Sequence, residues 1–408
     1  LILAGSNDIT LEDNVINNLQ GDRGLIIDNS YNVTVRRMTV SSLKSVNFII
    51  SFHSHHILVE ELKFTGLLTK QLATLYDVTS ITFKSMTLTS ALTTTSLIQA
   101  SHCELSLVNV ELNGLKGDVL FPYAFSSKIT LQSVTIKNFD GSLGHFIKST
   151  IVGNKISIVE GKKQARDISL EESSLDFEIF EYRLISSDYY LMKASLGSVK
   201  LRQVVFTSLS TTEDALLMLE STSLTLTKAS VSELNCKFIA ASDSVLKLEE
   251  ISFANISLSQ VLSFEDSARS SISLQASDLE LSQVSVFNVT GQRKGFLSSF
   301  SSKSKPITIS NSKFFNISAD LGGVFYFSES SSKIEGCSFY YNKAEEGGAI
   351  YHSCNSKLCP LSIYNSQFAF NSAESGGAIL WSFLKPSVTN TLFMNNTATY
   401  GPDISSYG

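Results

Sequence analysis

Three histidines, His53, His55 and His56, form the only cluster of imidazole side chains in the sequence. A His-x-His pair on one strand can place both rings on one face, where they could capture a metal ion. No cysteine lies near them, and the first carboxylate that follows is Glu60. Because a metal site needs a complete ligand set, a solvated turn is the favoured interpretation and no cofactor is expected.

Carboxylates are the next groups that could do acid–base chemistry, and they alternate with basic residues. Steps of 24 residues relate Glu12-Asp13, Arg36-Arg37, Glu60-Glu61 and Lys84. Opposite charges on adjacent strands attract, although an exposed pair contributes only about 0.2–1 kcal/mol. The pattern favours an ion-pair ladder that fixes strand register over a pair of catalytic acids.

The chain has five cysteines, Cys103, Cys236, Cys337, Cys354 and Cys359. An odd number does not make a complete disulfide framework. Four residues separate Cys354 from Cys359, so these two could close a small disulfide loop if the protein is secreted. Two free thiols are the alternative. No CxxC pair or histidine at finger spacing indicates zinc.

Five asparagines begin Asn-x-Ser/Thr sequons and are candidates for N-glycosylation: Asn32, Asn255, Asn288, Asn316 and Asn395. In a sequence so rich in Ser and Thr this number is close to chance, and it does not by itself indicate secretion. Their placement is more informative. The last four share one position of a repeat, and we expect that position to face outward.

That repeat positions all of these groups. Apolar residues recur at positions called here 0, +2, usually +5, and +7. Six units begin 24 residues apart, at Ile9, Val33, Ile57, Ile81, Leu105 and Ile129. Later starts are less regular and lie at Ile168, Val199, Leu224, Leu246, Leu279, Ile307, Ser332, Leu361 and Pro386. A motif with a period of this size indicates a solenoid.

Apolar residues at 0 and +2 have strand periodicity, and the change of parity before +5 indicates a bend. A second apolar cluster follows about 15 to 18 residues into each unit, so each unit predicts about three short strands. Such units bury their inner faces only by stacking. The sequence therefore predicts an all-β parallel β-helix, or solenoid, of about 15 coils, mostly of 24–29 residues. A sandwich or propeller fits less well, because hairpin turns are few and the repeats are short.

We expect residues 1–408 to form a single β-helix domain, and a chain that begins within the pattern indicates a piece of a longer protein. Three long steps between starts require inserted residues. We place the first insertion near 151–164 and the second near 178–188, and the third falls in the step from 246 to 279.

The clearest repeats lie near the end of the chain, where Phe339–Ile350 recurs as Phe368–Ile379. Both carry Phe-x-x-Asn followed by Gly-Gly-Ala-Ile. Glycine reaches positive φ at little cost, so we assign tight corners to Gly322, Gly323, Gly347, Gly348, Gly376, Gly377 and Gly401. Position +10 holds Asn342, Asn371 and Asn396 where other coils place Leu. Buried amides need partners, so we predict an inward-facing structural ladder of stacked asparagines.

These motifs resemble the repeats of chlamydial polymorphic outer membrane proteins and of large predicted surface proteins of ciliates. The sequence Tyr400-Gly401-Pro402-Asp403-Ile404 is similar to the end of the last coil in those proteins. The resemblance covers about residues 307–408. It implies a right-handed β-helix of the pectin-lyase type on an extracellular or cell-surface protein, from a ciliate or similar protist.

A formal net charge of −6 gives no reason to expect nucleic acid. No apolar run approaches the ~20 residues of a membrane span. We therefore expect a non-catalytic structural or adhesive protein, such as a subunit of a fibre or surface coat. Its partners would be further copies or flanking domains that cap the solenoid ends, and surface glycans.

The alternative is a pectin-lyase-like β-helix that binds or cleaves carbohydrate. Tyr182, Tyr189 and Tyr190, near the second predicted insertion, could stack on sugars there. However, the signatures of polygalacturonase-like members are absent, and the acids are scattered or alternate with bases. An enzyme is therefore not expected.

Overall fold

The computed structural model describes residues 1–119, 122–161, 166–187, 190–211, 215–257, 270–301, 306–355 and 358–407. Within these ranges the chain forms strands and turns and no helix. The strands are parallel and stack in about 15 coils, so the predicted all-β solenoid is confirmed. The chain divides into two compact units, Leu1–Leu201 and Arg202–Gly408. That both belong to one domain stays a prediction.

Unit 1 is built from short strands and from a few long strands that continue through bends. Its strands are β1 Ile2–Ala4, β2 Asn7–Glu12, β3 Val15–Asn17, β4 Gln20–Asp28, β5 Tyr31–Phe52, β6 His55–Tyr76, β7 Ile81–Thr93, β8 Ile98–Ser101, β9 Glu104–Val119, β10 Tyr123–Phe125, β11 Lys128–Lys137, β12 Asp140–Ile147, β13 Thr150–Val159, β14 Arg166–Glu171, β15 Ser174–Phe177, β16 Phe180–Ser187 and β17 Met192–Ser195. Strand β18, Ser198–Thr211, begins in this unit.

Unit 2 has shorter strands, particularly toward its end. They are β19 Ala215–Glu220, β20 Ser223–Leu234, β21 Lys237–Ser242, β22 Val245–Ser257, β23 Ile272–Gln275, β24 Asp278–Ser282, β25 Ser285–Lys294, β26 Leu297–Phe300, β27 Ile307–Ser310, β28 Lys313–Leu321, β29 Phe325–Ser328, β30 Ser332–Glu335, β31 Ser338–Tyr340, β32 Ile350–Ser353, β33 Leu361–Tyr364, β34 Gln367–Ala369, β35 Ser372–Ser375, β36 Ile379–Ser382, β37 Ser387–Thr389, β38 Leu392–Met394, β39 Thr397–Tyr400 and β40 Ile404–Tyr407.

Strand pairing in unit 1 places each repeat position directly against the same position of the next coil. The six predicted starts are consecutive partners from Ile9 to Ile129. At position +2, Val35 pairs with Val59, Val59 with Phe83, and Phe83 with Leu107. All four side chains are buried. The core of each unit is therefore a set of columns in which one apolar side chain covers the next.

Residues in the left-handed region bend the coil between strands. Position +4 has φ between 51° and 59° in the first five coils, at Asp13, Arg37, Glu61, Ser85 and Asn109. Position +9 is a second bend of this kind in most coils of both units. Such a residue changes which side-chain parity faces inward, because alternation along a strand assumes extended backbone. The change from even to odd apolar positions in the sequence therefore marks this bend.

An aromatic column forms the core of unit 2 at position +7. Phe314, Phe339, Phe368 and Phe393 stack with near-parallel rings, with centroids 5.1, 4.4 and 5.2 Å apart in succession. The spacing follows the separation of neighbouring strands, about 4.8 Å. The phenylalanines that mark the C-terminal repeats in the sequence are therefore core residues.

The two insertions predicted in the middle of unit 1 are wrong for the described residues. Ile151 pairs with Ile129 on one side and Leu175 on the other, and Leu175 pairs with Val199. Strands β13 and β16 occupy the stretches assigned to insertions and pair with each other in register. Residues 162–165 and 188–189 lie outside the described part of the chain.

The regular coil that begins at Ile151 does not match the apolar pattern of the sequence, because one of its apolar positions is a glycine. Position +2 of this coil is Gly153, and a Cβ there would lie 2.7 Å from the Phe177 ring of the next coil. A large side chain in one coil thus fills the space that its neighbour leaves. The start predicted at Ile168 is also wrong, because Ile168 lies in β14, which pairs with β12 and β17 in a different series of strands.

The third long step does contain extra residues. Leu246 pairs with Leu279, 33 residues later, and Ile239 pairs with Ile272. Pairing is regular up to Ser257, so the added length falls between Ser257 and Ile272. Residues 258–269 within it lie outside the described part of the chain.

The paired glycines of the C-terminal repeats have two different structural roles. The first of each pair has positive φ: 57° at Gly322, 65° at Gly347 and 63° at Gly376, and Gly401 has 62°. The second of each pair, Gly323, Gly348 and Gly377, also lies in the bend, but without the predicted positive φ. A Cβ at each of these three would lie 2.1 Å from a carbonyl oxygen of the next coil. Close stacking of backbones therefore excludes any side chain there.

Replacing Gly348 with alanine should lower the free energy of unfolding by about 1–3 kcal/mol, the usual cost of overpacking. The new methyl group would meet the carbonyl oxygen of Gly377, which is fixed by the backbone. Chemical denaturation of Gly348→Ala and of Gly21→Ala provides the comparison, since no heavy atom lies within 4 Å of the Cβ position at Gly21. Equal stability of the two variants would contradict the close approach.

Candidate functional site

The predicted asparagine ladder is present in unit 2 and uses every hydrogen-bonding group of its amides. Asn342 Nδ2 donates to Asn371 Oδ1 at 2.9 Å, and Asn371 Nδ2 donates to Asn396 Oδ1 at 3.0 Å. Each oxygen also accepts the backbone N–H of the preceding asparagine, at 3.0 Å in both cases. The other Nδ2 hydrogen of each asparagine is donated to a phenylalanine carbonyl oxygen of the preceding coil. All three side chains are buried, so the ladder satisfies groups that water does not reach.

The ladder replaces a stretch of strand pairing. In unit 1 the +10 position lies inside a continuous strand, and Leu43 pairs with Leu67 through the backbone. In unit 2 strand β31 ends at Tyr340, two residues before Asn342. There the backbone N–H of Ile317 bonds Asn342 Oδ1 at 3.1 Å. The amide side chain therefore supplies the acceptor that a strand carbonyl would otherwise provide.

The sequon asparagines at +9 form an outward column one residue before the ladder. Asn255, Asn288, Asn316 and Asn395 are exposed and have φ between 50° and 55°. Asparagine tolerates this left-handed conformation better than most residues, which gives a structural reason for the column. Asn316 Nδ2 donates to Asn288 Oδ1 at 2.9 Å. Asn32 lies elsewhere, in unit 1, and its Nδ2 donates to Asp8 Oδ1 at 2.9 Å. Glycosylation of all five stays a prediction.

Exposed aromatic side chains lie in and beside the same column. Phe287 contacts Phe315, Phe315 contacts Tyr341, and Tyr341 stacks on Phe370, at centroid distances of 6.4, 5.4 and 4.9 Å. We call these four residues the aromatic stripe. Each is more than a third exposed. The rings were not singled out from the sequence, although their separations match the length of one coil and could have indicated them.

Histidine and aspartate alternate along a corner of unit 1. His53 lies between Asp28 and Asp77, with N···O distances of 3.9 and 3.8 Å. His102, from the coil after Asp77, has its Nδ1 3.6 Å from Asp77 Oδ1. The sequence cluster is therefore divided, because His55 Nδ1 instead contacts Thr79 Oγ1 at 2.7 Å. The group therefore consists of residues about one coil apart, and not of histidines that are neighbours in sequence.

The charged residues predicted to stack do form ion pairs between coils. Arg37 binds Glu12 and Asp13 of the preceding coil. Lys84 Nζ lies 2.6 Å from Glu60 Oε1. This hydrogen bond, opposed by partial desolvation, lowers the pKa of Glu60. Because all of these side chains except Glu60 are exposed, the pairs fix register more than they add stability.

Cys354 and Cys359 are joined in a disulfide with Cα atoms 5.8 Å apart. Glu329 of the preceding coil accepts the backbone N–H of Asn355 at 2.8 Å. The two sulfurs and a Glu329 oxygen lie within 4.8 Å of one another, but sulfurs joined to each other are not thiolate ligands for a metal. Burial raises the pKa of the free thiol of Cys236 to about 12 and that of Cys337 to about 11.

An open groove of about 600 Å³ crosses four coils of unit 2. Asp320, Glu345 and Glu374 line it, with Lys343 between them. Burial raises the pKa of the adjacent Glu346, and the charges of Glu345 and Glu374 add to this effect. The surplus of carboxylates makes this groove a poor match for an acidic polysaccharide.

Two of the three tyrosines proposed to stack on sugars, Tyr182 and Tyr190, lie in the described part of the chain. Tyr182 is 3% exposed and lies in the core of unit 1, so that assignment is wrong for it. Tyr190 is half-buried, with Lys193 Nζ 5.9 Å from its ring centroid. Tyr189 lies outside the described residues.

His352 is a buried titratable side chain that the sequence pattern did not single out. It lies in β32 between Phe327 and Trp381 of the neighbouring coils. Its ring is fully buried, and neither nitrogen has a hydrogen-bond partner among the described residues. Burial lowers its pKa to about 4. The ring is therefore neutral near pH 7 and acts as a core side chain.

No protein-family model matches the chain, and no curated protein is similar enough to count as a relative. No helix long and apolar enough to cross a membrane is found in the described ranges. The assignment of the fold therefore rests on the strand pairing. The likeness to surface-protein repeats, which rests on residues of the C-terminal coils, stays a resemblance.

Replacing Asn371 with alanine should lower the free energy of unfolding by about 3 kcal/mol, because buried groups of Asn342 lose their acceptor. Denaturant titration of Asn371→Ala measures this loss. Asn390→Gly is the matched control: it removes an exposed amide hydrogen bond to Asn365 and keeps the left-handed backbone accessible. If Asn390→Gly lowered the free energy of unfolding as much as Asn371→Ala does, burial of the ladder would not explain the loss.

His352 should make unit 2 sensitive to acid. In the unfolded chain the ring takes up a proton near pH 6.5, whereas in the folded protein it does so near pH 4. The free energy of unfolding should therefore fall as pH drops below about 6.5, by about 2 kcal/mol at pH 5. Denaturation at pH 7.5 and pH 5 should show this loss in the wild type and not in His352→Leu. His55→Gln, which removes an exposed ring, should lose as much free energy of unfolding between pH 7.5 and pH 5 as the wild type does.

Proposed function

We propose that this chain is a non-catalytic structural or adhesive solenoid of an extracellular or cell-surface protein. The observation that carries the proposal is the use of polar side chains to join one coil to the next. The asparagine ladder, the ion pairs and the His–Asp series all bind equivalent positions of neighbouring coils. Groups engaged in this way hold the stack together.

The sulfur chemistry supports an oxidising compartment. The Cys354–Cys359 disulfide closes a short surface loop, and such bonds persist mainly in secreted and surface proteins. The other three cysteines are buried, and raised pKa values keep their thiols protonated near neutral pH. A protonated, inaccessible thiol is a poor nucleophile, which supports a structural role.

The resemblance of the C-terminal coils supports the same compartment. Phe339, Asn342 and Gly347-Gly348 occupy a core column, the ladder and a tight corner. The motif shared with polymorphic outer membrane proteins and ciliate surface proteins therefore specifies how coils stack. We propose that the chain is a pectin-lyase-like repeat region of a surface protein, and that copies or flanking domains cap the stack.

Carbohydrate binding or cleavage is the rival function. A neutral glycan would suit the acid-lined groove better than an acidic one, because Asp320, Glu345 and Glu374 would repel an anionic chain. The groove is shallow and open, and its carboxylates are spread over three coils. A structural role therefore explains more of the described side chains.

Surface labelling tests the proposal. Antibodies raised against the 408-residue chain should stain intact, unpermeabilised cells that make the protein, and external protease should remove the signal. Staining that appears only after permeabilisation would contradict the surface assignment.

A panel of neutral and acidic polysaccharides tests the non-catalytic part separately. We expect no release of reducing ends or unsaturated sugars from any member of the panel. Sustained product release that a Glu345→Gln variant abolishes would establish an enzyme and overturn the proposal, whatever the localisation.

A further inference from the structure

The last coils of unit 2 place two exposed aromatic rings between two sequons. Position +9 is Asn316, then Tyr341, then Phe370, then Asn395 in four successive coils. Tyr341 is 51% exposed and Phe370 is 41% exposed. All four residues have positive φ. Their side chains therefore leave the same bend and follow one another on the outside of the unit.

The ring geometry leaves one aromatic face without a ring partner. Tyr341 and Phe370 are parallel within 5°, with centroids 4.9 Å apart, one coil spacing. Phe315 packs its ring at 66° to Tyr341 on the preceding side. The far face of Phe370 is turned toward the following coil, and among the described residues Tyr341 supplies the one aromatic ring that packs against it.

The residue that follows Phe370 in the column is Asn395. Strand β38 pairs with β34 up to Ala369 and Met394, and the Phe370 N–H donates to the Met394 carbonyl at 3.0 Å. Asn395 is exposed, and its amide makes no hydrogen bond within the described residues. By contrast the Asn316 amide donates to Asn288. Asn396 points inward between Asn395 and the exposed Thr397, so the sequon presents its Asn and Thr outward.

We propose that Asn395 carries an N-linked glycan whose first N-acetylglucosamine packs its C–H face against Phe370. The inference rests on the proposed surface function, because the modification takes place in the secretory pathway. The sugar would cover an exposed apolar ring, and its polarised C–H bonds would meet the electron-rich face of that ring. Asn316 is less suited, because Phe315 already packs against the nearest face of Tyr341.

The modification is a group transfer from a lipid-linked oligosaccharide pyrophosphate. The Asn395 Nδ2 forms a bond to C1 of N-acetylglucosamine and loses one proton. The bond from C1 to the pyrophosphate oxygen breaks, and the lipid pyrophosphate leaves with the electron pair. The linked amide keeps one N–H and carries no charge.

The full chain with an added signal peptide, secreted from a eukaryotic host, tests the site. The added peptide routes the chain through glycosylation whatever its native compartment, so this result is independent of the labelling experiment above. Glycopeptide mass spectrometry should show Asn395 occupied. Thr397→Ala, which removes only this sequon, should lower the melting temperature by on the order of 2 °C. In the unglycosylated chain from bacteria the same substitution should have a smaller effect.

The contact with Phe370 is tested by combining substitutions. The glycan-dependent shift is the difference between the effects of Thr397→Ala on the melting temperature of the glycosylated and the bacterial chain. This difference should vanish in Phe370→Ala, and in Phe370→Leu as a second variant without a ring. Trimming the glycan to its first sugar should keep the stabilisation, whereas complete removal should abolish it. Thr290→Ala, which removes the Asn288 sequon, should show no coupling to Phe370. An unoccupied Asn395, or a glycan-dependent shift unchanged by Phe370→Ala, would overturn the proposal.

Discussion

Parallel pairing of each strand with its equivalent in the next coil is the constraint on which the structure depends. Where register is preserved, a strand residue lies against the equivalent residue of each neighbouring coil. An apolar residue then gains an apolar neighbour, as at Val35, Val59 and Phe83. A charged residue gains an opposite charge only if the sign alternates from coil to coil, as Arg37 and Asp13 do. A buried amide gains a complementary amide without any change of residue type.

Adjacent asparagines show how strongly the bend controls the role of a residue. Asn395 lies at a left-handed position and faces outward, whereas Asn396 has no positive φ, is buried and is part of the ladder. Chemically identical side chains therefore have opposite environments one residue apart. The aromatic residues behave in the same way: Phe368 stacks in the core, and Phe370 belongs to the exposed stripe.

The coil pattern could be predicted from the sequence where each coil keeps its own apolar set, as from Ile9 to Ile129. It failed at Ile151, because Gly153 leaves space that Phe177 of another coil fills. The ladder of Asn342, Asn371 and Asn396 was predictable, since three copies share one slot. The His53–Asp77–His102 series was not recognised, because its members lie far apart in sequence. The second glycine of each pair lies in the predicted corner, but the reason for glycine there is a backbone oxygen of the next coil and not a positive φ.

The asparagine ladder has a direction that bears on how such a chain changes length. Between asparagines, each amide nitrogen donates to the amide oxygen of the following coil, and Asn396 ends the series by donating to Asp403 Oδ1 at 3.0 Å. A duplicated turn bearing Asn at this slot would therefore find both of its partners already in place. Gain or loss of a whole turn would then keep the remaining asparagines of the ladder in register. A turn can also vary in length between its strands, as it does between Ser257 and Ile272, while the strands keep their register.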